Sequence, residues 1–177
     1  LDMSFDSPAS GGVAAHRAAA PESVRCAILT ISDTRAPDTD TSGNLIREML
    51  ALAGHRVVAY EIVPDEPDRI RQTVGAWTAK PEVEAILSNG GTGIAARDTT
   101  YDALAGLIET RLDGFGELFR MLSFQEIGAA AMLSRAVAGV ANGTLIVARP
   151  GSTNAVRLAM SRLIVPELGH LIYEINK

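Results

Sequence analysis

Short, almost unbroken apolar runs alternate along this chain with longer stretches in which apolar residues recur every three or four positions. The first pattern belongs to strands buried on both faces, the second to helices that cover them. Residues 24–32, V-R-C-A-I-L-T-I-S, stop at Asp33 and a polar stretch, which predicts a buried strand followed by a loop. Asp40 or Thr41 then caps a helix whose residues Leu45, Ile46, Met49, Leu50 and Leu52 share one broad face, with Gly54 as its stop. Residues 55–63 are rich in Val and Ile and predict a second strand, broken by Pro64-Asp65-Glu66-Pro67. A helix follows through Ile70, Val74 and Trp77, and Trp77 lies on its apolar stripe as a packing residue rather than a ligand platform. Residues 84–88 predict a short third strand. Helical segments are expected through Leu104 and Leu107, over 115–122 and over 125–133, then a last strand over 144–148 and terminal helices over 154–175. Strands alternating with helices imply a three-layer α/β/α sandwich around a mostly parallel sheet. Residues 1–23, rich in Ala, Ser, Gly and Pro without periodicity, predict a flexible tail and leave 24–177 as one domain.

In such sheets ligands bind beyond the carboxyl ends of the strands, where loops converge. The features falling there are Ser32-Asp33, Pro64-Asp65-Glu66, the stretch 90–98 and Pro150-Gly151-Ser152. Gly90, Gly91, Thr92 and Gly93 directly follow a strand, so the backbone can approach a ligand such as a phosphate closely while Thr92 offers a hydroxyl. A plain strand-to-helix turn is the alternative for the tetrad alone. Neither G-x-G-x-x-G nor a P-loop with its lysine occurs, so nucleotide binding does not follow from those motifs. Asp98 stands between Arg97 and Thr99-Thr100, as a helix cap or as a metal ligand; Asp65 is a turn residue or a second ligand. Two carboxylates at neighbouring strand ends could share Mg²⁺ with phosphate oxygens, the donor set that ion favours.

Composition narrows the setting. An aliphatic chain of 177 residues, 47% hydrophobic and 5% aromatic, suits one domain with a full core. A net charge of -5 argues against non-specific nucleic-acid binding, which draws on Lys and Arg, so an anionic ligand has to be held locally. Cys26 is the only cysteine, which excludes an intrachain disulfide and a Cys-rich zinc site and reads as a buried, inert thiol. His16, His55 and His170 show no metal-ligand spacing and read as structural or surface residues. No apolar run approaches the ~20 residues of a membrane span, and a cytoplasmic protein is expected.

Taken in order, A-I-L-T-I-S-D-T, D-T-S-G, V-P-D-E, G-G-T-G with R-D-T-T, G-F-G-E-L-F-R-M-L-S-F-Q-E-I-G, L-S-R-A-V-A-G-V and P-G-S resemble the MoaB/Mog family of molybdenum cofactor biosynthesis proteins from residue 24 to the C-terminus. The stretch 114–128 most resembles the MoaB branch. The resemblance implies the molybdopterin-binding fold and, in adenylylating relatives, reaction of ATP with molybdopterin to give adenylylated molybdopterin and pyrophosphate. It assigns turnover and Mg²⁺ to Asp65 and Asp98. It places Ser32, Asp40, Thr92, Ser123 and Ser134 around nucleotide or pterin, with Gly90, Gly91 and Gly93 as the cradle and Pro150, Gly151 and Ser152 as an anion-binding turn. Helix capping is the alternative for Ser123 and Ser134. It also implies a homo-oligomer, trimer or hexamer, and partners among other cofactor-biosynthesis proteins. Tyr101, Ala148-Arg149 and Asn154 depart from the family pattern, where Pro, Asn with an apolar residue, and Lys are frequent. Arg149 or Arg157 is the candidate substitute for the lost phosphate partner. A non-catalytic pterin-binding or assembly module, and a phosphate-binding domain of unrelated role, stand beside the enzymatic reading.

Overall fold

The computed structural model describes residues 11–177. Its strands are β1 (Arg25–Ile31), β2 (Arg56–Val63), β3 (Ala85–Asn89), β4 (Thr110–Arg111), β5 (Val137–Ala141) and β6 (Thr144–Arg149). They form one sheet in the order β2-β1-β3-β6-β5-β4. The first four run parallel; β5 is antiparallel to β6, and β4 to β5. The helices are α1 (Gly11–Ala19), α2 (Thr41–Leu52), α3 (Pro67–Thr78), α4 (Thr100–Ala105), α5 (Asp113–Ile127), α6 (Thr153–Ala159) and α7 (Val165–Asn176).

Strand side chains point alternately to the two faces, and each face is dry. On one, Cys26, Ile28, Leu87, Leu145 and Val147 meet Ile46 and Leu50 of α2, Phe119 of α5, Leu158 of α6 and Leu168 and Ile172 of α7. On the other, Leu29, Ile86 and Ile146 meet Ile70, Val74 and Trp77 of α3 and Leu104 of α4. The sheet with helices on both sides is the expected sandwich. Cys26 is fully buried, and that burial pushes its thiol up to about 12, which leaves it inert.

The differences from expectation have local causes. Residues 137–149 hold a hairpin rather than one strand, because Asn142-Gly143 turns the chain with positive φ at both residues (47° and 73°). The segments expected over 115–122 and 125–133 are one helix, α5, ended by Gly128 at φ 64°, and a following 3-10 turn, Gly128–Leu133. Between α6 and α7 the chain makes a π turn, Met160–Ile164, just before Pro166, which has no N–H to continue an α-helical ladder. Within the stretch expected as a patternless tail, residues 11–19 form α1, packed on α7; residues 1–10 of that expectation lie outside the described ones. No described helix is long and apolar enough to cross a membrane.

Candidate functional site

Four parallel strands with matched ends place their carboxyl-terminal loops on one rim. Ile31 is level with Val63, Thr30 with Asn89, and Asn89 with Arg149. The loops that begin at Ser32, Pro64, Gly90 and Pro150 therefore start side by side.

The G-G-T-G loop is the hub. Gly90 has φ 97° and lies under Ile31 O, where any side chain would collide with that carbonyl; its N–H donates to Arg149 O at 3.1 Å. Gly151 of the P-G-S turn rests on it, since a Cβ there would meet Gly90 Cα at 3.0 Å. Gly91, at φ 66°, leaves room for the Asp65 carboxylate and the Thr100 hydroxyl, both of which a methyl would strike. Gly93 leaves the same room for the Asp98 carboxylate. Thus Asp65 and Asp98, far apart in sequence, flank one glycine cradle on one rim. Thr92, between them, is buried.

The two acids are held differently. Asp65 is 5% exposed, and its Oδ1 accepts hydrogen bonds from Thr99 N–H (3.1 Å), Thr99 Oγ1 (2.7 Å) and Thr100 Oγ1 (3.2 Å). That oxygen braces the R-D-T-T segment, while Oδ2 lies against Gly91. Asp98 does not cap α4, whose N-cap is Thr99; its Oδ2 instead accepts from Ala95 N–H at 3.0 Å and closes the turn 95–98. Asp98 also borders an open cleft of about 450 Å³ with Arg71, Ala95 and Arg135.

Other expected residues divide into those that frame the rim and those that do not. Ser32 Oγ accepts from the Thr34 and Arg35 N–H groups (3.2 and 3.0 Å), a turn that shapes the wall of a cleft of about 790 Å³ bounded by Ser32, Asp33, Tyr60, Glu66 and Arg97. Asp40 caps α2 through Gly43 N–H (2.9 Å) and accepts from Thr30 Oγ1 (2.6 Å), Tyr60 OH (2.7 Å) and Arg35 Nη1 (3.3 Å). Burial works to raise its carboxyl, but the hydrogen bonds from Thr30, Tyr60 and Gly43, aided by Arg35, hold it below the usual range. With no exposed surface, Asp40 supports the rim from below rather than meeting a ligand. Ser152 caps α6 by accepting from Ala155 N–H (3.2 Å), and Ser42 Oγ donates to Gly151 O (2.7 Å), pinning the P-G-S turn. Pro150, half-buried, sets that turn. Ser134 ends the 3-10 turn, one residue from the rim contact made by Arg135. Ser123 sits buried in the middle of α5, not at a cap, and no hydrogen bond joins it to the cradle among the described residues.

Two residues that no site role was expected of, Arg135 and Asp33, hold its geometry, and the expected phosphate partner Arg149 lies away from any ligand. Arg135 donates to Thr92 O (3.2 Å) and Gly93 O (2.9 Å) and lies 4.5 Å over the Tyr101 ring, so it clamps the cradle from the β5 side. Asp33 takes a two-pronged bond from Arg97 (3.0 and 2.8 Å) and accepts Asp65 N–H (3.1 Å), tying three loops together. The Arg97 hydrogen bonds hold the Asp33 carboxyl below its usual range. Asp33 and Arg135 stand in the family strings S-D-T and L-S-R-A. Arg149 is fully buried: Nη1 donates to Ser88 O (3.3 Å), whereas among the described residues Nε and Nη2 find no partner, nor do nearby Ser88 Oγ and Asn89 Oδ1. Burial pushes its guanidinium down to about 9, so it remains a cation at neutral pH.

Residues 27–170 match the family model described as "Probable molybdopterin binding domain". The chain belongs to the MoaB/Mog family of molybdenum cofactor biosynthesis proteins. It is similar to molybdenum cofactor biosynthesis protein B of Halalkalibacterium halodurans, 57% identical over 163 residues that cover 92% of this chain and 96% of that one. Among solved structures, a molybdenum cofactor biosynthesis protein B superposes with TM-score 0.86 at 52% identity, covering 89% of this chain and 98% of the other. A tungsten cofactor synthesizing MoaB from Pyrococcus furiosus gives TM-score 0.80 at 32% identity over 89% of this chain and all (100%) of that one. The molybdopterin-binding fold expected from the ordered motifs is the fold of this chain.

Proposed function

We propose that the chain acts in molybdenum cofactor biosynthesis, binding molybdopterin at this rim and adenylylating it with ATP and Mg²⁺. The observation that carries the reading is the placing of Asp65 and Asp98 on either side of the G-G-T-G cradle, in space that only glycine leaves open. The names of the relatives supply the pathway.

The pterin's terminal phosphate is the nucleophile. One of its oxygens forms a bond to the α-phosphorus of ATP while the bond from that phosphorus to the β-phosphate bridge breaks, releasing pyrophosphate. The nucleophile is anionic already, so positioning and charge neutralisation outweigh proton transfer. Backbone groups of Gly90 to Gly93 and the Pro150-Gly151-Ser152 turn orient the phosphates, and Arg97 and Arg135 keep the loops closed up around them. The donor set fits Mg²⁺, since each acid offers a hard oxygen from a separate loop. Asp65 Oδ2 and Asp98 would hold it, directly or through its waters, and it would neutralise charge gathering on the phosphates.

Asp98→Asn is expected to keep molybdopterin binding, read by pterin fluorescence, while lowering turnover by ~10²-fold or more, the usual cost of losing one preorganised charge-stabilising group. Unchanged turnover removes Asp98 from the mechanism. A second reading, a non-catalytic pterin-binding or assembly module, is favoured by the structural duty of Asp65 Oδ1. That reading requires pterin binding with no transfer of AMP by the native chain.

A further inference from the structure

Away from the rim, α1 carries no fully buried side chain and is only 9 residues long, a helix too short to stand without an anchor. It nonetheless lies along α7, and a polar cluster joins the two helices. The His16 ring stands 6.0 Å from the His170 ring and 5.5 Å from Tyr173. His16 Nδ1 is 2.6 Å from Glu174 Oε1, and His170 Nε2 is 3.7 Å from the same oxygen. His16, His170 and Glu174 each offer a ligand atom, and all these atoms lie within 4.8 Å of one another. The sequence hid this grouping, because His170 and Glu174 are one helical turn apart while His16 arrives from a separate element.

We propose that His16, His170 and Glu174 bind a Zn²⁺-class transition-metal ion that clamps α1 onto α7. Two imidazoles and a carboxylate, with water in the fourth position, form a ligand set that zinc takes; ~2.0–2.1 Å bonds in a tetrahedron require ligand atoms ~3.3 Å apart. The distances of 2.6 and 3.7 Å bracket that spacing, so small side-chain rotations complete it. A second geometric feature supports a ligand role for His170. His170 Nδ1 bonds Glu167 Oε2 at 2.8 Å. A carboxylate on the far nitrogen is the usual support of a metal-bound histidine, with Nε2 turned toward the ion. Glu167 is held in turn by Arg17 of α1, and Lys177 approaches Glu174 Oε2 (3.6 Å), leaving Oε1 for the ion. The backbone near this point is close-fitting: a Cβ on Gly169 would meet Pro21 O at 2.8 Å, so the chain leaving α1 is already seated on α7. Ile172 and Asn176 of α7 border a cleft with Arg25, Glu84 and Thr144, at the amino ends of the strands. The clamp therefore belongs to the end of the molecule opposite the glycine cradle.

The test is calorimetric titration of Zn²⁺ alone into the tag-free full chain at neutral pH, with Co²⁺ as a spectroscopic substitute. One ion per chain at micromolar or tighter affinity is expected, with tetrahedral visible absorption for Co²⁺ and slower proteolysis between α1 and β1. His16→Ala and His170→Ala each lower the affinity at least tenfold, and Glu167→Gln lowers it ~10-fold through orientation. His16→Ala changes a partly exposed residue on a helix with no buried side chain, so its fold is retained, as circular dichroism verifies. Native protein that binds Zn²⁺ no more tightly than His16→Ala, or a Co²⁺ adduct without tetrahedral bands, overturns the proposal.

Discussion

Arg149 shows how a single residue can sit well in a motif and badly in a core. From sequence it is the candidate substitute for a phosphate-binding side chain beside P-G-S; in the structure its side chain points into the sheet face shared with Thr30 and Asn89, without exposed surface. A buried cation with no ion-pair partner among the described residues costs several kcal/mol of desolvation, of which one hydrogen bond at 3.3 Å recovers little. Arg149→Met is therefore expected to stabilise the chain by ~1–3 kcal/mol, which raises the melting temperature by roughly 2–12 °C for a domain of this size. A fall in melting temperature in calorimetry would mean that an anion or a second subunit meets the guanidinium in the assembled protein. Sequence could supply the identity of such residues but not their direction. Asp40 is the clearest case, a cap expected from sequence whose carboxylate also receives Thr30 and Tyr60 from neighbouring strands.

At the scale of elements, periodicity located the buried parallel strands and the long helices, because burial on both faces or on one stripe leaves a direct mark on residue type. The edge hairpin left a signal too, Asn142-Gly143 between two apolar runs, the strongest short-range hairpin mark. It was obscured because Ala and Gly dominate Val137–Ala141; Gly139 is required there, since a side chain would strike Ile108 and Thr110 O. Helix α5 presents the opposite situation, with good periodicity and an uncovered face. Leu118, Met121, Phe124 and Ile127 recur every three residues and are 47–61% exposed, continuing into Met132 and Leu133. A contiguous apolar stripe of this kind is what a protein interface presents, and we propose it as the contact of the homo-oligomer that the resemblance implies. Phe124→Glu is expected to shift a trimer or hexamer to monomer in light scattering. An unaltered oligomer would move the contact to another face.

For the whole molecule, the account turns on one sheet bringing four loops level and on groups that keep it stable. His55 accepts Val24 N–H through Nδ1 at 3.1 Å, and burial lowers its pKa below 6.5. The unfolded chain then binds the proton first, so His55's contribution is complete above about 6.5 and is lost as pH falls through the folded value. Asp40, held below 3.8, contributes fully above that value and loses its contribution as pH falls through its lowered folded value. Melting temperature should thus be flat close to neutrality, decline below pH ~6.5 and decline again in acid; His55→Gln should remove the first step alone, and a variant that keeps it would contradict the assignment. The meeting of Asp65 and Asp98 at the cradle was legible as soon as both were placed at strand ends, since parallel strands put those ends on one rim. The braces Asp33, Arg97 and Arg135 were not, because Asp33 and Arg97 pair with each other across two distant loops and Arg135 donates to backbone carbonyls, contacts that no local pattern names.

The central claim is that this rim joins AMP to the pterin. Its most direct test is pyrophosphate release on mixing the native chain with molybdopterin, ATP and Mg²⁺. The account expects pyrophosphate in equal amount to adenylylated molybdopterin, dependent on all three components and lost in Asp98→Asn. Molybdopterin binding without any pyrophosphate would contradict it.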